Sequence, residues 1–241
     1  MNGQIIPINY SGLDLKISIL IKRKSEKWIV CLHGIQSNKE LFIDLLKQPF
    51  FENYSLLAID FVGFGKSSKS ENFSYDVLDQ ANICKKIINN LDIKELNIIG
   101  HSLGGMVGTL LLEPLKDIVK SFISMEGNLV YADCGLSKVV ANLSFEDFKN
   151  QYSNKISVSD FVFYKTSVSI VEWSKSEKLL KLFKESSVRK LFVYGEKNSY
   201  KVIILPKNFN SEMISNAGHF MLIDNPSECY KAFEEFYSEL G

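Results

Sequence analysis

Residues 96–105 read LNIIGHSLGG: an apolar run closed by Gly100, then Ser102 between His101 and Leu103, then Gly104 and Gly105. Serine and glycine are the commonest turn residues, so a tight turn accounts for the stretch in its plainest form. The sharper reading is a nucleophile on a strained elbow. Gly100-His101-Ser102-Leu103-Gly104 satisfies G-x-S-x-G, with an apolar strand pattern before it and a helical pattern after it. A non-glycine residue held in a sparsely populated backbone region costs about 1–3 kcal/mol. Glycines at 100 and 104 would relieve the crowding that so sharp a turn creates. The same geometry would aim the Leu103 N–H, at a helix start, toward an anion forming beside the Ser102 hydroxyl. Ten residues cannot separate the two readings, and the rest of the chain must decide.

Outward from the elbow, apolar strands alternate with helical patterns. Upstream, Gln4 to Tyr10 and Leu13 to Lys22 flank Ser11-Gly12 as a hairpin. Trp28 to Leu32 is a short, continuously apolar strand, and Tyr54 to Ile59 is the next buried strand. Between them a helix is expected from Ser37 or Asn38, with Leu41, Leu45 and Leu46 on one face. Tyr75 to Leu91 keeps helical spacing, as does Leu103 to Leu112, and Val119 to Met125 is another strand. This alternation predicts an α/β fold: a mostly parallel sheet covered by helices on both faces. Chemistry in such folds gathers at the carboxyl ends of the strands, which puts His33, Asp60, Ser102 and Glu126 on one edge.

The rhythm breaks after Glu126. About sixty residues precede the next clear strand, Lys190 to Tyr194, where a plain crossover needs about 10–12. The stretch is rich in aromatics, and helical spacing recurs around Phe145–Tyr152 and Glu172–Phe183. It is read as a small helical cap, residues 128–187, inserted into a core formed by 1–127 and 188–241. Downstream, Phe209 to Ile214 is a strand, residues 217–226 a loop, and Ser227 to Leu240 a closing helix.

Composition narrows the function classes. Of 241 residues, 28 are Lys or Arg and 28 Asp or Glu, so no basic excess points to nucleic acid or an anionic membrane. No segment reaches the roughly 18 apolar residues of a membrane span. Asp14 and Lys16 interrupt the first apolar stretch, against a signal peptide. Cys31, Cys84, Cys134 and Cys229 are scattered without metal-type spacing and read as reduced thiols of a cytoplasmic protein. GFGKSS resembles two phosphate-binding motifs and completes neither: Asp60 replaces the first glycine of a P-loop, and Ser68 the third of a dinucleotide fingerprint. No cofactor and no metal are expected.

A nucleophilic serine needs a base, and the chain holds three histidines: His33, His101 and His219. His101 adjoins the serine, where its side chain is expected to point away; His33 precedes it. His219 follows the last strand, the position a base takes in the order Ser…acid…His.

With HGI at 33–35, DFVGFGKS at 60–67, GHSLGG at 100–105, VYGEKN at 193–198 and GHFMLIDNP at 218–226, the chain resembles the α/β-hydrolase superfamily over nearly its whole length. The resemblance implies oxyanion N–H groups at Ile35 and Leu103, and a structural role for Asp60. It also implies an acid after the strand KLFVY, where this chain carries Asn198. Asparagine is neutral and cannot stabilise an imidazolium. Some relatives take the acid from the end of the preceding strand, here Glu126, which is favoured over Glu196. The implied function is a serine hydrolase cleaving a carboxylic ester of a small, partly apolar substrate through Ser102, His219 and Glu126. Hydrolysis of a C–C bond in a diketone-like compound, or a catalytically weak ligand-binding protein, stay open as alternatives. The partner is a small molecule, with neither nucleic acid nor membrane, and oligomeric state is left open.

Overall fold

The computed structural model describes residues 2–204 and 209–238. Eight strands form one sheet: β1 (Asn2–Tyr10), β2 (Leu13–Lys22), β3 (Lys27–Leu32), β4 (Ser55–Ile59), β5 (Glu95–His101), β6 (Val119–Met125), β7 (Arg189–Gly195) and β8 (Ser211–Ile214). Their spatial order is β1-β2-β4-β3-β5-β6-β7-β8. The β1–β2 hairpin and the β2–β4 pair are antiparallel, and every later pair is parallel. Ser11 and Gly12 both take positive φ, the turn that matches the twist of a two-residue hairpin.

Alternation along the strands sorts side chains to two faces. Val30, Leu32, Ile98 and Phe122 join one buried cluster, whereas Ile29, Cys31, Ile99 and Ile123 join the other. The first face is covered by α1 (Val77–Asn90) and α2 (Leu103–Leu111). On the second face, Phe233 and Phe236 of the closing helix pack with Phe42 and Phe51.

The expected helix after β3 is replaced by three short 3₁₀ turns, Lys39–Phe42, Leu45–Lys47 and Pro49–Asn53. Buried polar bonds hold the first of them. Lys39 is fully within the core; its backbone N–H donates to Asp60 Oδ1 at 2.8 Å and its ammonium meets Oδ2 at 2.6 Å. Pro49 then breaks any longer helix.

Between β6 and β7 lie α3 (Gly135–Val140), α4 (Phe145–Tyr152), α5 (Asp160–Lys175) and α6 (Lys178–Glu185). Val140, Phe148 and Phe163 make a small cluster of their own, with Phe148 stacked on Tyr152 and Phe163. Asp76, the N-cap of α1, ties α5 to the core by accepting from the Ser169 hydroxyl at 2.8 Å and from the Trp173 indole at 3.2 Å. The helix expected over Glu172–Phe183 is broken by Glu177 in the left-handed region. Beyond that break Leu179 and Phe183 pack with Phe122 and Phe192 of the sheet. Helix α6 therefore packs on the sheet as a crossover helix, at the end of the stretch 128–187 that was expected as a cap. The loop expected at 217–226 contains a single helical turn, α7 (Met221–Asp224), before α8 (Pro226–Ser238).

Candidate active site

The elbow owes its shape to close backbone approach. Ser102 sits at φ 53°, ψ −113°, one residue past β5 and one before α2. A Cβ at Gly104 would lie 2.0 Å from the Leu32 carbonyl oxygen, and one at Gly100 would lie 2.3 Å from that of Gly104. Both are distances that side chains do not reach, so only glycine lets β5, β3 and α2 meet here. The serine's own N–H continues the ladder, donating to the Met125 carbonyl at 2.9 Å.

Five further strand ends, those of β3, β4, β6, β7 and β8, meet at the same edge. Past β3, His33 is buried; its Nδ1 lies 2.7 Å from the Gly34 carbonyl, and its Nε2 accepts from the Phe61 N–H at 3.1 Å. Those bonds specify the neutral Nδ1–H tautomer, and burial lowers the ring's pKa to about 4. His33 thus braces the loop that carries Ile35. Past β4, Asp60 holds Lys39 and accepts the Lys66 N–H at 2.9 Å. No N–H of Ile35 or Leu103 donates to another described residue, and Ile35 lines the cavity beside Ser102.

Past β6, Glu126 is fully buried, with φ at 46°. Its carboxylate collects donors from two loops. Gly195 N–H reaches Oε1 at 3.0 Å, and the Asn198 amide reaches Oε1 and Oε2 at 3.0 and 3.1 Å. His219 Nδ1 stands 2.7 Å from Oε2. Glu196, the competing acid in the sequence, instead accepts the Asn216 N–H at 2.8 Å. Asn198 therefore occupies the usual acid position as a donor to the carboxylate next door.

The His101 side chain reaches the loop after β8. Its Nε2 donates to the His219 carbonyl at 2.8 Å, and its ring lies 4.8 Å from the His219 ring. Gly34 makes room for it, since a Cβ there would stand 2.8 Å from His101 Nδ1. The glycine of HGI was legible in sequence, but nothing there linked it to His101. The role of Asn198 was equally hidden, because a donor has no motif.

Ser102 and His219 border one cavity of about 340 Å³, lined also by Asn128, Leu136 and Phe163. All four cysteines are buried, and Cys134 is on the cavity wall. Among the described residues no cluster of His, Cys, Asp and Glu is placed to hold a metal, and no helix is long and apolar enough to cross a membrane.

Comparison with known proteins gives this arrangement a context. The uncharacterized hydrolase YugF of Bacillus subtilis is 34% identical over 82 residues, which are 33% of this chain and 29% of that protein. The chain thus spans less than a third of the length of the curated relatives it matches. Two solved structures share the fold: the N-acyl homoserine lactonase AidH, with a TM-score of 0.72 and 16% identity over 98% of this chain and 97% of that one, and an esterase from Exiguobacterium antarcticum, with a TM-score of 0.72 and 17% identity over 92% and 96%. The family model for the alpha/beta hydrolase fold matches residues 27–168, more than half of the sequence and the part that carries the elbow, and the chain belongs to that family.

Proposed function

We propose that the chain is a serine hydrolase that cleaves the carboxylic ester, or a related acyl bond, of a small, partly apolar substrate. The supporting observation is the 2.7 Å contact between Glu126 and His219 at the wall of the cavity that Ser102 borders. With Nδ1–H donating to the carboxylate, the Nε2 atom is the basic nitrogen and takes the Ser102 proton as Oγ attacks the carbonyl. The buried Glu126 carboxylate stabilises the imidazolium, and the ring returns the proton to the leaving alcohol. The Ile35 and Leu103 N–H groups hold the oxyanion, each donor contributing about 2.7–4 kcal/mol to the transition state. Water then attacks the acyl-enzyme by the same proton path. Residues 128–176 act as the cap. The reading needs neither cofactor nor metal, and four buried thiols suit a reducing compartment such as the cytoplasm.

The test is covalent labelling of the purified chain by a fluorophosphonate, together with p-nitrophenyl ester hydrolysis. Ser102→Ala is expected to abolish both while leaving the circular dichroism spectrum unchanged. Labelling that persists in this variant removes Ser102 as nucleophile. A wild-type chain that neither labels nor turns over esters is a binding protein, and one that labels without ester turnover directs the search to C–C bond substrates.

A further inference from the structure

The turn that carries Ile35 is tied to the cap at two points. Its backbone is closed by the Ser37 N–H, which donates to the Gly34 carbonyl at 3.2 Å and leaves Ile35 and Gln36 as the two central residues. Gln36 stands at φ 63°. A turn with positive φ at its third residue ordinarily takes glycine or asparagine there, so a glutamine marks a place where the side chain has a use. That side chain crosses to the cap: Gln36 Oε1 accepts the Ser157 N–H at 3.3 Å. The neighbouring side chain crosses as well. Ile35 packs against the cluster of Val140, Phe148 and Phe163, and so do Ile156 and Val158 on either side of Ser157.

A backbone donor aims only where its backbone aims it. A turn strained at its third residue has a competing form with negative φ there, reached by rotating the peptide between its two central residues. That rotation changes ψ at Ile35 and shifts the residue whose N–H is to meet the oxyanion. The Gln36–Ser157 bond opposes it, because the acceptor reaches Ser157 from the positive-φ form. We infer that Gln36 is a positioning residue for the Ile35 donor: its bond to Ser157 holds the turn in the positive-φ form and makes the donor's aim depend on the seating of the cap. This rests on the serine-hydrolase reading and deepens it, since Gln36 acts through the Ile35 backbone and not on the reacting atoms.

The experiment measures hydrolysis of p-nitrophenyl acetate and octanoate by wild type, Gln36→Met, Ser157→Pro, their double variant and Gln36→Gly. Gln36→Met keeps the length of the side chain and removes the acceptor. Ser157→Pro removes the donor, and Ile156 already has the extended backbone, φ −120° and ψ 148°, that a residue before proline takes. A whole oxyanion donor is worth about 10²–10³ in kcat, whereas one neutral hydrogen bond that aims it is worth about two- to tenfold. Gln36→Met and Ser157→Pro should therefore each lower kcat about fivefold on both esters, with KM within about twofold. The double variant should be no worse than the worse single, because both remove one bond. Glycine takes positive φ at no steric cost, so Gln36→Gly should stay within about twofold of wild type although it lacks the bond. Losses that multiply, a loss confined to octanoate, a changed KM with kcat intact, or Gln36→Gly falling as far as Gln36→Met each overturn the proposal. Hydrogen-exchange mass spectrometry supplies a readout independent of turnover. Gln36→Met should speed exchange about fivefold in peptides covering 33–37 and in those covering Ser157. Faster exchange at Ser157 alone means that the bond does not hold the turn, and overturns the proposal. Coupled exchange in a protein that hydrolyses no ester keeps the link between cap and turn and removes the hydrolase reading. Ester turnover that Gln36→Met leaves unchanged in kcat does the reverse.

Discussion

The ends of β6 and β7 lie side by side, with Met125 paired to Val193, yet they do opposite electrostatic work. The β6 end carries the charge: Glu126 is buried one residue past the strand. The β7 end carries neutral donors: the Gly195 N–H and the Asn198 amide, both turned onto that carboxylate. A histidine arriving from past β8 needs one carboxylate within hydrogen-bond reach, and the parallel register brings both strand ends within reach of it. On the proposed reading Glu126 is the acid and the β7 end supplies donors to it, so the difference teaches that the two strand ends divide charge and donors between them. Two carboxylates there would repel, and two amides would leave the imidazolium without a counter-charge.

The largest test removes the charge. Glu126→Gln should lower kcat by about 10²–10⁴, since in a serine protease the comparable loss of the acid's charge costs about 10⁴. If it costs no more than Glu196→Gln, the comparison between the strand ends is broken. Next, Asn198→Asp puts a second carboxylate about 3 Å from Glu126, where two cannot both stay ionised cheaply. At low pH the shared proton lets Asp at 198 donate as the asparagine does, so activity is kept. As pH rises and that proton leaves, repulsion displaces Glu126. The ratio of variant to wild-type kcat should therefore fall by about tenfold between pH 6 and pH 9 in parallel pH–rate profiles. A constant ratio would mean that Asn198 has no hold on Glu126.

Combining Glu126→Gln with Asn198→Asp should recover about tenfold of the loss in Glu126→Gln, by exchanging charge and donor between the strands. A double variant no better than Glu126→Gln shows that the backbone at β7 cannot present an acid. Glu196→Gln, whose carboxylate binds the Asn216 N–H instead, should cost less than tenfold in kcat, or about 1.4 kcal/mol at most.

Least in activity, though not in stability, is the effect at the β3 end. His33 is neutral in the fold, with its pKa lowered from 6.5 to about 4 by burial. The unfolded chain therefore binds a proton in this window that the native chain does not. The contribution is complete above pH 6.5 and is lost as pH falls toward 4, by up to about 3 kcal/mol. Urea denaturation from pH 7 to pH 4 should show a smaller loss of stability in His33→Gln than in wild type. Equal slopes would mean that His33 is not buried neutral.

Much of this was legible in sequence because it is local. Strands β3, β4, β5 and β6 were readable from their mostly apolar runs, since strands covered on both faces keep few polar positions, such as Asn97 and Ser121 here. The elbow was readable because close backbone approach leaves glycine as the only option at 100 and 104. Where a long-range polar bond outweighed helical periodicity, sequence failed. Leu41 and Leu45 have helical spacing, but Lys39 is held by Asp60, and the segment closes as 3₁₀ turns. The packing of α6 was hidden for a related reason: amphipathic spacing says that a helix buries one face, not against which layer. Only the position of α6 beneath Phe122 and Phe192 shows that it belongs to the sheet.

By itself, then, the sequence determined the sheet, the serine at its strained turn and the late histidine, because each rests on backbone sterics or on order along the chain. It favoured Glu126 over Glu196 without placing either, and showed no partner for Asn198 or for the His101 ring. Those depend on which side chains from β5, β6, β7 and the loop after β8 come within 3 Å of one another, and no spacing within a single element encodes that. Tertiary structure sets those contacts by strand register: it places the ends of β6 and β7 side by side, buries the Glu126 carboxylate there, and brings His219 Nδ1 within 2.7 Å of it.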